Sequence, residues 1–162
     1  MRPDLESVSS ASSEGTVDLV LSPAHDAWVE EVRRYLVPSA EPGAQFWDRW
    51  TTVRYLDDQF VDRFRLESDL LDELAVCVPA AEMAKLRGAA ERVALLRLDL
   101  DRIGRRRGAA AEFTVKAVEF LHALELWCAE LEFATHRVEV AALPPEGDRI
   151  LAHLYAGVSV AA

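Results

Sequence analysis

The stretch EFLHALELWCAELEFATH begins at Glu119 and places His122 three residues later. On a helix, a Glu-x-x-His pair turns both side chains to one side, and two such pairs joined by two further carboxylates hold di-metal centres inside helical bundles. Only one such pair is present here. His136 follows Glu132 by four residues instead, about 20 Å further along the helix. Glu67 falls on an apolar stripe and could add a carboxylate, and Arg97 falls on another. A polar residue at a core position requires a partner. Glu67, Arg97, Glu119 and His122 therefore form a candidate polar core cluster, read either as a structural network or as a small-ligand or metal site. With so few donors, no bound metal and no cofactor are expected.

A second acidic group, DDQFVD with Asp57, Asp58 and Asp62, resembles the aspartate-rich metal-diphosphate motif of prenyl-chain enzymes. Its last aspartate comes four residues after the second where that motif has three, and there is no second motif. A solvated acidic face explains it. Nucleophilic catalysis finds no Gly-x-Ser-x-Gly elbow, and Cys77 and Cys128 both fall within apolar helix faces with no CxxC spacing, as buried thiols do. His25 and His153 are expected to serve surface or capping roles.

The third group is basic. Arg105, Arg106 and Arg107 stand in a row between Gly104 and Gly108, in a chain of 162 residues whose formal net charge is -10. Cations at a helix C-terminus interact favourably with its dipole, and arginine stacks on tryptophan and forks onto carboxylates. Trp47, Asp48 and Trp50 of FWDRW are the expected neighbours. Arginine and tryptophan also dominate interface hot spots. Arg105, Arg106, Arg107, Trp47 and Trp50 are thus the candidate partner-binding residues, with a purely structural role as the alternative. The overall acidity disfavours a nucleic-acid partner.

These groups need elements to hold them, and the apolar pattern supplies helices throughout. Ser22 and Pro23 read as N-cap and first helical position of a short helix, with Trp28, Val32, Tyr35 and Leu36 on one face until Pro38 stops it. A long helix over 44–78 carries Phe46, Trp50, Val53, Phe60, Phe64, Leu71, Leu74 and Val78, and Pro79 closes it. The next, from Ala80 to Gly104, carries Met83, Leu86, Ala90, Val93, Leu96, Leu100 and Ile103. The fourth runs from about 109 to 140 with Phe113, Ala117, Phe120, Leu124, Trp127, Leu131, Ala134 and Val138. A short last helix is expected over 148–156.

The predicted fold is all-α: an elongated antiparallel bundle of three long and two short helices over 23–162, preceded by a flexible, Ser-rich acidic tail over 1–22. The second helix has four basic residues against eight acidic, and the third, counted together with the Arg105–Arg107 triplet that follows it, eight basic against four acidic. Folded back at Pro79, the two would pair Arg87 with Asp69 and Asp72, and Arg97 with Asp58 and Asp62. Such pairs select register more than they add stability.

No segment reaches the roughly 20 apolar residues of a membrane span, and no secretory leader is visible, so a cytoplasmic, non-membrane protein is expected. The leading functional reading is a non-enzymatic protein that acts by protein-protein interaction, as adaptor, subunit or regulator, or by forming a homo-oligomer. The alternative is a small enzyme or ligand binder using the carboxylate and histidine cluster between helices.

Overall fold

The computed structural model describes residues 21–140. Residues 1–20 of the tail expected over 1–22, and the short last helix, lie outside the described residues, whereas Leu21 packs against the core. Within them the chain is entirely helical, with α1 over Pro23–Ala40, α2 over Phe46–Tyr55, a π-helical turn over Leu56–Phe60, α3 over Val61–Leu74, α4 over Ala80–Gly104 and α5 over Ala110–Val140. The π turn joins α2 and α3 into one rod, so an elongated bundle of four rods results.

Ser22 caps α1 by accepting from the His25 backbone N–H. The helix does not stop at Pro38 but runs on to Ala40. Proline forfeits only one backbone donor in a last turn. The Ser39 hydroxyl donates to the carbonyls of Tyr35 and Leu36, and Thr114 of α5 donates to that of Ala40, so this end is well satisfied.

The rod expected as one regular helix over 44–78 is shorter and contains an irregularity. It starts at Phe46 behind Gln45, whose backbone N–H is held by the Asp48 carboxylate at 2.7 Å. It ends at Leu74, so residues 75–79 form the connection and Pro79 serves as the N-cap of α4. Cys77 accordingly lies exposed in that connection, whereas Cys128 is buried on α5. The π turn closes with the Val61 N–H on the Leu56 carbonyl and puts Leu56 and Phe60 both in the core.

Antiparallel neighbours are fixed by cross-rod contacts. α1 runs against α5 through His25 with Glu132 and Arg33 with Glu125. α5 runs against α4 through Lys85 with Glu130 and Arg137 with Glu82. α4 meets the α2–α3 rod through Arg87 with Asp72, as expected, and Arg97 with Asp57. Asp57 replaces the expected Asp58 and Asp62; Arg87 with Asp72 keeps the register counted from Pro79, so the change is local to the π turn that carries Asp57.

The interior is an aromatic column. Trp28 of α1 stacks on Phe60 at 5.3 Å, Phe60 meets Phe64 at 5.6 Å and Phe120 at 5.2 Å, and Phe64 meets the edge of Trp127 at 5.8 Å. Such pairs contribute about 0.5–1.5 kcal/mol each beyond the area they bury. At the far end α4 ends where Gly104 touches both neighbours: a Cβ there would stand 2.5 Å from Val53 and 3.2 Å from Phe113. Gly108, with φ +80°, then supplies the left-handed residue that turns the chain into α5.

Candidate interaction site

The three consecutive arginines leave the end of α4 in three directions. Arg105, the C-cap, donates to Asp101 at 2.5 Å and to Asp57 at 3.0 Å, and its guanidinium lies 4.9 Å over the Trp50 ring. Asp57 holds Arg97 at 2.7 Å with its other oxygen, so one carboxylate in the π turn clasps two arginines of α4. Arg106 turns away from the tryptophans to pair with Glu112 at the start of α5. Arg107 lies 5.8 Å over Phe46, and among the described residues it pairs with no carboxylate.

Trp47 projects beside them, 68% exposed, with its ring edge-on to Phe46 at 5.5 Å. Asp48 belongs to the cap of α2 and not to the arginines. The end of the bundle therefore presents two layers. Arg105, Trp50, Asp57 and Asp101 form a cross-linked base. Above it, Phe46, Trp47 and Arg107 offer an apolar ring, an indole and a cation to solvent.

The polar residues expected to meet in the core do not form one cluster. Arg97 is bound to Asp57, Glu119 is held by Lys116 at 2.7 Å, and His122 is exposed on α5. Only Glu67 is deeply buried, 5% exposed, and its partner is His25, 6% exposed. The His25 ring bridges two helices: Nδ1 lies 2.6 Å from Glu132 of α5 and Nε2 lies 3.4 Å from Glu67 of α3. Arg63 also reaches the same Glu67 oxygen, at 3.3 Å, and lays its guanidinium 4.5 Å over Trp28. Glu132 further accepts from the Ser22 backbone N–H at 2.8 Å.

This replaces the surface or capping role expected of His25. The spacing 25, 28, 29, 32 and 36 puts the histidine on the buried stripe of α1, and that was the available signal. Burial pulls the imidazolium down, but the hydrogen bond and charge of Glu67, then those of Glu132, outweigh it, so the pKa stands above its ordinary 6.5. A ring whose opposite nitrogens face two carboxylates separates them and cannot chelate with them. Among the described residues, no group of three or more His, Cys, Asp or Glu is arranged to hold a metal ion. Burial first, and the charge of Glu67 next, push the Cys128 thiol far above its ordinary value, which keeps it protonated and weakly nucleophilic.

No helix among the described residues is long and apolar enough to cross a membrane. No protein-family model, curated protein or solved structure matches the chain.

Proposed function

We propose that this helical bundle acts by protein-protein interaction, as an adaptor, subunit or regulator, and docks its partner on the end formed by Phe46, Trp47 and Arg107. The observation that carries the reading is Trp47, a large aromatic side chain 68% exposed beside a stacked arginine, on a base that is cross-linked by ion pairs. Tryptophan and arginine lead the residue types that dominate binding energy, and a base already held in place reduces the ordering cost of association. The matching partner surface is an apolar pocket for the indole with a carboxylate within reach of Arg107. A chain of net charge -10 is poorly suited to a nucleic-acid backbone, which favours a protein.

The test compares the native chain with the double variant Trp47→Ala, Arg107→Glu in co-purification from the source organism, with helix content matched by circular dichroism. A stoichiometric partner retained by the native chain and weakened at least about 30-fold in the variant is the expected result. A partner held equally by both, or no stoichiometric partner for the native chain, contradicts the reading. Arg105 is left intact because its ion pairs belong to the base, and Arg106 because it is paired with Glu112 of α5.

A further inference from the structure

α5 is apolar on two opposite sides. Its core stripe is fully packed, while Val115, Val118, Leu126 and Phe133 are between 38% and 64% exposed. Together with Ala111, His122 and Ala129 they form a line with successive spacings of four, three, four, four, three and four residues. Two 11-residue repeats of this kind follow the natural pitch of a helix, so the line stays on one face for about 33 Å. α1 and α4 flank α5 on either side of the core, and among the described residues no other helix covers this outer face, where Arg137 of α5 itself lies 5.8 Å over the Phe133 ring.

The spacing reads the same in both directions about His122. A twofold axis at that residue, with a second α5 running antiparallel, sets Val118 against Leu126, Val115 against Ala129 and Ala111 against Phe133. His122 meets its own copy on the axis, and on either side of it the larger side chain of each pair faces the smaller, which makes the line self-complementary as an isologous interface requires. The seam carries no Asp, Glu, Lys or Arg. The charges beside it are neutralised within their own chain: Glu112 by Arg106, Lys116 by Glu119, Glu125 by Arg33, Glu130 by Lys85 and Arg137 by Glu82. An acidic chain can therefore approach its own copy along this line without setting unpaired like charges together.

The face presents on the order of 400 Å² of apolar surface, the size at which a monomer's largest patch is often functional. Two such faces with their polar margins come to roughly 1,200 Å², which reaches the range of stable interfaces. We infer that the outer face of α5 is a homodimer interface in which two copies pair antiparallel about His122. This surface is separate from the Trp47 end, so each can fail without the other.

Sedimentation equilibrium of the full chain at up to about 100 µM tests it. The native chain should sediment as a dimer, Phe133→Glu should weaken the dimer at least about 30-fold, and Leu66→Glu, at an exposed apolar position on α3, should leave it unchanged. In a Cys77→Ser background, chains carrying Val118→Cys should form disulfides with chains carrying Leu126→Cys in preference to their own kind. A monomeric native chain overturns the proposal, whether residues 141–162 or nothing covers the stripe. So does a dimer indifferent to Phe133→Glu, or a preference for like-with-like disulfides, which would mean parallel chains.

Discussion

His25 is the residue on which the bundle's pH response depends. Its folded-state pKa lies above 6.5, so the stability it contributes is complete below about pH 6.5 and is lost as pH rises through the higher folded value. Loss of the proton leaves Glu67, one of whose oxygens is buried without a hydrogen-bond partner, and Glu132 with a neutral ring between them. Urea unfolding followed by circular dichroism at pH 5.5 and pH 8.5 should show the native chain more stable at the lower pH. His25→Gln should cost about 3 kcal/mol at the lower pH and flatten the difference. Equal slopes for both proteins would remove the assignment. Asp57 offers a milder case: Asp57→Ala releases Arg97 and Arg105 together, but all three groups are partly solvated, so the expected loss is about 1 kcal/mol.

Elements were legible where a single stripe ran uninterrupted to a strong stop signal. α4 could be placed over Ala80–Gly104 because its apolar positions never drift and proline and glycine bound it. The rod before it was harder, since a π turn shifts hydrogen bonding by one residue with no proline or glycine to announce it. Pro38 misled in the opposite sense, since a proline one turn from a helix end leaves the chain free to continue. His25 stands in the first turn of α1, a position that by itself fits a surface or capping role, and only its place on the buried stripe marks it as a core residue. The convergence of Arg105 with Trp50 follows from folding the two oppositely charged helices back at Pro79 and counting equal distances from it, but the diversion of Arg106 to Glu112 depends on how the Gly108 turn aims α5.

That turn yields an element-scale prediction. Gly104→Ala drives a methyl into Val53 and Phe113 and should lower stability by about 1–3 kcal/mol in thermal or urea unfolding. Gly108→Ala meets no neighbouring atom and should cost only the strain of a positive φ, about 1 kcal/mol. If the order were reversed, the close approach of α4 to α2 and α5 would not be what the glycine permits.

At the scale of the whole molecule, the proposed function separates stiffness from recognition. Charge pairs and an aromatic column hold four rods in one register, and Trp47 with Arg107 stands exposed at one end, while the exposed Phe133 and Arg137 lie on α5 near the other. The connection at 75–79 lies at the other end of the α3–α4 hairpin, about 37 Å away by the length of α4. It carries Val76, 85% exposed, an apolar position that makes no contact with an arginine or aromatic ring among the described residues. The most direct measurement is therefore site-specific photo-crosslinking in the source organism, with a photoreactive phenylalanine at position 47 and, separately, at position 76. The account predicts a discrete adduct with a different protein from position 47 and none from position 76. Equal labelling from both sites, or no adduct from position 47 in a folded chain, would contradict it.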